Sequence, residues 1–306
     1  MTGASGFLGS AVVEALAAAG HRVRAGVRRW PDQGVWPDGV RPVQCDVEHG
    51  DGLATACEGV DAVIHLAAAM GDSASAQQAV AVDGTARLIE AMVGRCSRLL
   101  LASSFAVYDW SRVGATLDEQ GALLDDQALH GQDAYTCAKL RQEQLARTLC
   151  AQHGIGLTVL RPALIWSGQR RDLSCVGPGN RWLRVVVAPR RSLRLTHVDS
   201  CASAFVAALD SRASGQTLNI DDATGITAWD YAGASGARLR VPIPLSLACA
   251  VAALAGALLK PLVGADRLPG LLVPQRLQAR FHRARAGHAA LQRLGWQPPA
   301  IASRFH

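Results

Sequence analysis

The 306-residue sequence predicts an α/β fold, a doubly wound parallel sheet covered by helices on both faces, with a smaller C-terminal domain. Three observations carry this. Short aliphatic or β-branched runs alternate with alanine-rich stretches of helical length through the first half. A glycine-rich turn, Thr2-Gly3-Ala4-Ser5-Gly6-Phe7-Leu8-Gly9, opens directly into the first of those helical stretches. Serines, glycines and charged residues gather where the runs end, and in such sheets ligands bind outside the carboxyl ends of the strands.

Taken in order, strands are expected at 23–27, 62–66, 99–103 and 157–160, with helices at 9–19, 49–57, 80–93 and 134–153. The strand that should launch the glycine turn is expected to be cut short, because Met1 stands immediately before it. After Arg161-Pro162 a glycine- and arginine-rich stretch, 168–194, reads as loop. Regular structure resumes with a strand at 195–198, a helix at 200–209 and a strand at 217–220. The last third holds an alanine/leucine run, 243–259, and a basic segment, 276–293. These patterns divide the chain into a dinucleotide-binding domain, 1–166 plus 195–221, and a substrate-side domain, 167–194 plus 222–306.

Composition narrows the function. Hydrophobic residues make up 49% and charged residues 18%, so the chain can bury a core and is not disordered. Eight scattered cysteines without a C-x-x-C pair read as reduced thiols, no export signal is visible, and a cytoplasmic location is expected. The net charge of +6 rests on arginine, since Lys139 and Lys260 are the two lysines. Basic clusters do not alternate with aromatics, so no nucleic-acid partner is expected. No metal site is expected either.

Several residues have the types and spacing that chemistry needs. Glycines 3, 6 and 9 allow a tight turn and close backbone approach, and the helix N-terminus offers N–H groups to a pyrophosphate; a glycine-rich helix start without a ligand is the competing reading. Nineteen residues after Gly9 the second strand ends in Arg28-Arg29. An acid there would accept from a ribose 2′-hydroxyl, whereas arginine pairs with a 2′-phosphate, which favours NADP(H) while leaving NAD(H) open. Both arginines also read as ordinary surface charge. Asp46 follows an extended run and could accept from an adenine amino group or simply cap a turn. Tyr135 and Lys139, at i and i+4, share one helix face, where the ammonium is expected to lower the phenol's pKa for acid/base work. Ser103-Ser104 ends a strand and would set a hydroxyl at the same sheet edge, with Ser104 orienting a carbonyl.

From Thr2 to about Asp210 the chain resembles extended short-chain dehydrogenases/reductases of the NAD(P)-dependent epimerase/dehydratase family, a Rossmann-type fold. The matching segments run TGASGFLG, CDV, VIHLAA, SSFAVYD, YTCAK, LRPALIW and LTHVDSCASAF, and LQRLGWQP resembles that family's ending. The resemblance implies catalytic Ser104, Tyr135 and Lys139. It implies Gly3, Gly6, Phe7, Leu8 and Gly9 at the pyrophosphate, and Asp46 and Val47 at the adenine. Leu66, Ala67 and Ala68 would face the ribose, and Pro162 and Ala163 the nicotinamide.

Departures are Ala81 where the family often has Asn, Trp166-Ser167 for Tyr-Gly, and Ser200 for Asp; the second is expected to alter the substrate entrance. Hydride transfer to a nucleotide sugar or to a small alcohol or ketone is the implied chemistry. Arginines 170, 171, 181, 184, 190, 191 and 194 would suit a diphosphate or be plain loop charge. The alternatives are a non-catalytic dinucleotide sensor and a membrane-associated interaction protein. For run 243–259, a packed helix is the preferred reading and association with a membrane the other. A homodimer is expected from the resemblance.

Overall fold

The computed structural model describes residues 1–29, 36–69, 73–129, 132–234, 236–263 and 270–299. In chain order the elements are α1 (Phe7–Ala18), β1 (Val23–Val27), β2 (Val40–Gln44), α2 (Leu53–Cys57), β3 (Val63–His65), α3 (Ala74–Gln77), α4 (Gly84–Met92), β4 (Arg98–Ala102), β5 (Thr116–Leu117), α5 (Asp126–Leu129) and α6 (Ala134–His153). There follow β6 (Gly156–Pro162), β7 (Leu164–Trp166), β8 (Leu183–Val187), β9 (Leu195–His197), α7 (Val198–Ala207), β10 (Thr217–Ile220), α8 (Ala228–Gly233) and β11 (Leu239–Ile243). The chain closes with α9 (Leu245–Val263), α10 (Pro274–Arg280), β12 (Arg285–Ala286) and α11 (Ala289–Arg293).

The main sheet runs β10-β6-β4-β3, all parallel, and β1-β2 forms a second parallel pair. Met1 and Thr2 lie between them. Thr2 N donates to Ile64 O at 2.9 Å, and Gly26 N donates to Met1 O at 2.7 Å, so the two sheets join through this short segment. The alternation in β4 shows why its run is continuously apolar: Leu100 and Ala102 face one cluster, Leu99 and Leu101 the other. On the first face Val12, Val13 and Leu16 of α1 meet Ala204 and Phe205 of α7. On the second, Leu88, Ile89 and Met92 of α4 share a core with Ala146 and Cys150 of α6. Helix α6 starts where the Asp133 carboxylate accepts from Thr136 N at 2.8 Å and stops at Gly154, whose φ of 64° releases the chain.

The segment 168–194, expected as loop, contains β8, which pairs in parallel with β11. Neither strand has a readable signature, because Arg184 and Arg240 interrupt their apolar runs and Pro242 sits inside β11. The helix expected at 80–93 is regular from Gly84; before it, 78–83 widens into a π-helical turn continuous with α3. Trp166 does not lie at the entrance of a site: it is fully buried and packs edge-on against His197 and Tyr231, because β7 turns its side chain into the small core beneath α8. At the C-terminal end Ala290, Leu291 and Trp296 pack into the α1/α7 core, where Trp296 Nε1 donates to Ser203 Oγ at 2.9 Å.

Candidate active site

A cleft of about 1590 Å³ runs along the carboxyl edge of the sheet, lined by every residue expected from the sequence to be catalytic or to hold the cofactor. At one end is the glycine turn. Gly3 has φ +70°, and a Cβ at Gly9 would fall 1.9 Å from the Gly3 carbonyl oxygen, so only hydrogen lets α1 begin this close to the turn. The α1 N-terminus has no side-chain cap. Its free N–H groups are therefore available to an anion, and the cradle fits a dinucleotide pyrophosphate. Beside it, Arg28 and Arg29 are exposed and in no ion pair among the described residues. Asp46 is committed locally: its carboxylate accepts from Glu48 N at 2.8 Å and contacts His49 Nδ1 at 3.1 Å, contacts that hold its pKa down despite the opposing effect of partial burial. Val47, Leu66, Ala67 and Ala68 complete this half.

Midway, β4 ends in two serines with different fates. Ser103 is buried and donates to Glu143 Oε2 at 2.7 Å. Ser104 is half-buried, accepts from Ala106 N at 3.2 Å as the cap of a 3₁₀ turn, and lines the cleft with Tyr135. Tyr135 departs from expectation. Burial raises its pKa, the Ser104 hydroxyl offsets this in part, and Asp133 adds to the rise, so the phenol is not acidified by Lys139.

Lys139 is buried, and burial alone lowers its pKa to about 8. Its ammonium donates to Ala102 O at 2.8 Å and to Gln142 Oε1 at 3.0 Å. From Gln142 a chain of buried polar groups leads back to the glycine turn. Gln142 Nε2 donates to Thr85 Oγ1 at 2.8 Å, and Thr85 donates to Ala81 O. Because that hydroxyl hydrogen is used, His65 Nε2, 2.9 Å away, must be the donor to Thr85, and His65 Nδ1 accepts from Thr2 Oγ1 at 2.7 Å. His65 stays neutral, its pKa pushed down to about 3 by burial and by Lys139. Gln142 went unnoticed in the sequence; its signal is the i, i+3 spacing from Lys139 on α6.

At the far end Pro162 and Ala163 are followed by an arginine-lined chamber. Of the seven arginines flagged in the sequence only Arg170, Arg191 and Arg194 reach it; Arg184 instead donates to Gly177 O and Gly179 O. Arg191 is buried, donates to Cys175 O at 2.6 Å and leaves Nε without a partner. Arg194 donates to His282 O at 2.7 Å and lies over the Trp110 ring at 3.9 Å. Burial lowers both to about 10. Arg276 and Arg280 of α10, read from sequence as part of a basic segment, join them.

A 3-diazoavenalumate denitrifying reductase from a Streptomyces species is 29% identical, the match covering 97% of this chain and 95% of that protein. A 2-alkyl-3-oxoalkanoate reductase from Stenotrophomonas maltophilia is 32% identical over 70% of this chain and 66% of its own length. Among solved structures, a short-chain dehydrogenase/reductase superfamily protein from Agrobacterium tumefaciens with bound NAD superposes with a TM-score of 0.69 at 20% identity, covering 99% of this chain and 93% of that one. A human epimerase family protein with NADPH gives 0.64 at 17%, covering 99% and 94%. With the family description matching residues 1–176, more than half its length, the chain belongs to the NAD-dependent epimerase/dehydratase family.

Proposed function

We propose that the protein is an NADP(H)-linked oxidoreductase that reduces a carbonyl of a small substrate carrying an anionic group. The observation that carries this reading is the gathering of Ser104, Tyr135 and Lys139 in the same cleft as the glycine turn and Arg28. When bound, the nicotinamide would supply the hydride. Gly3, Gly6, Phe7, Leu8 and Gly9 would hold the pyrophosphate, Arg28 the 2′-phosphate, and Pro162 and Ala163 the nicotinamide side. Ser104 orients the substrate oxygen and Tyr135 Oη delivers its proton. The raised pKa leaves the phenol protonated near neutrality, so Tyr135 has a proton to donate to a substrate oxygen. Two relatives named as reductases support the same direction. Lys139 holds ribose hydroxyls. Segments 167–194 and 222–306 form the substrate side, where buried Arg191 and half-buried Arg194, without a carboxylate within ion-pair distance among the described residues, supply an anion site.

The arginines also favour a second reading, redox-neutral chemistry on a nucleotide sugar, since guanidinium forks suit a diphosphate. Tyr135→Phe tests the mechanism. Turnover should fall by at least about a hundredfold while NADPH binding is retained; normal turnover refutes the assignment. Tight cofactor that co-purifies, together with binding of UDP in place of a keto acid, would establish the second reading.

A further inference from the structure

Among the described residues, all but one of the large apolar side chains left exposed fall between positions 182 and 271. Four of them, Leu247, Val251, Leu254 and Leu258, are 50%, 57%, 66% and 67% exposed. Their spacing of four, three and four residues puts them on one face of α9. The helix is inverted relative to an ordinary surface helix. Its inner face is made of small residues: Ala248 and Ala252 pack against Val187, Leu277 and Phe281, and a Cβ at Gly256 would come 2.7 Å from Leu272 O. The four exposed side chains point away from the core that Ala248 and Ala252 join. The four side chains expose on the order of 400 Å² of apolar surface, the scale at which a contiguous patch marks an interaction site.

The adjoining β8–β11 pair continues the pattern. Leu183 and Leu239, partners in register, are both exposed, and exposed Trp182 lies between the guanidiniums of Arg181, 5.5 Å away, and Arg238, 4.1 Å away. Neither 173–198 nor 231–263 contains an Asp or a Glu. An apolar helix face beside a tryptophan and a cationic, acid-free rim is complementary to an anionic bilayer surface. A second copy of the chain would set two cationic rims against each other. No helix among the described residues is long and apolar enough to cross a membrane, so α9 would lie in the interface plane.

We infer that α9 and the Trp182 edge form a docking face for an anionic lipid surface. The face adjoins the substrate end of the cleft, because Leu277 packs under α9 and also lines the cleft with Leu271, Arg276 and Arg280.

Flotation of the full chain with phosphatidylcholine vesicles, with and without phosphatidylglycerol, tests this. Vesicles containing phosphatidylglycerol should carry the protein, less so as salt rises, and pure phosphatidylcholine should not. The variant Leu254→Asp/Leu258→Asp changes two exposed residues that do not line the cleft; it should lose vesicle-bound protein about tenfold or more while keeping its melting temperature and NADPH binding. Arg181→Glu/Arg238→Glu should weaken binding and flatten its salt dependence. Wild-type protein that stays off both vesicles, or a double aspartate variant that floats like wild type, overturns the inference. So does failure to float combined with a dimer that the aspartates dissolve, which would assign the face to a second copy.

Discussion

Gln142 ties the one buried ammonium of the cleft to the rest of the protein, and substituting it should move the Lys139 pKa in opposite directions depending on the replacement. Lys139 has two acceptors, Ala102 O at 2.8 Å and Gln142 Oε1 at 3.0 Å, and titrates at about 8. Gln142→Leu removes one of them. A hydrogen bond to a charged group is worth roughly 1.5–3 kcal/mol, so the charged form loses that much and the pKa falls by about 1–2 units. Gln142→Glu places a carboxylate at about the same distance. At 3.0 Å and an effective dielectric near 20 the attraction is about 5 kcal/mol, from which desolvation of the new carboxylate subtracts several; a rise of about one unit or more remains.

The readout needs no substrate. If Lys139 meets the ribose as proposed, NADPH affinity, followed by fluorescence from pH 6 to 10, should weaken as pH rises through about 8 in the wild type, where its ammonium loses its proton. That fall should shift downward in the leucine variant and upward in the glutamate variant. A purely structural role for Gln142 would weaken binding in both without moving the limb, and one unmoved limb across all three proteins refutes the reasoning.

Two further predictions concern the cofactor half. Arg28→Ala should cost about tenfold to a hundredfold in NADPH affinity, the worth of one charge-assisted bond, and leave NADH nearly unchanged; equal losses in a paired titration would show that Arg28 does not meet a 2′-phosphate. Gly9→Ala should destabilise the protein by roughly 1–3 kcal/mol, since its Cβ would sit 1.9 Å from Gly3 O, whereas Gly6→Ala, at 3.3 Å from the same oxygen, should cost much less. Equal melting temperatures for the two variants would mean that the turn relaxes freely.

The residues expected to hold a cofactor could be picked out in the sequence because the patterns that mark them are local. A glycine turn, a strand-ending arginine and an i, i+4 Tyr-Lys pair are each contained within a few residues. The substrate half could not, since it is assembled from segments far apart: Arg191 and Arg194 come from 167–194, Arg276 and Arg280 from α10, and nothing in the spacing shows that these meet while Arg184 turns inward to backbone carbonyls. Strand β8 was read as loop for a related reason. Its pairing with β11 spans more than fifty residues, and the arginine in each run masks the alternation. The reading of Trp166 as an entrance residue failed because a side chain's direction at the end of β7 depends on α8 and His197 packing against it.

The expectation about Tyr135 failed at a more instructive point. Helix spacing alone lets Lys139 pair with Glu143 as readily as with Tyr135, because both are four residues away. Glu143 is drawn elsewhere: Arg161, Arg147 and Ser103 all bond its carboxylate, and its pKa is lowered by them despite burial. Lys139 thus keeps a buried charge with only neutral partners, a carbonyl and an amide. A charge in that state costs stability, which is why its pKa falls, and the same poverty of counter-charge makes it available to a ligand. Tyr135, for its part, has its pKa raised by burial and keeps its proton. The two residues that look like a coupled pair in the sequence are therefore separately tuned. The acid's proton is retained by burial, and the cation's charge is left uncompensated by diverting the nearest carboxylate to Arg161.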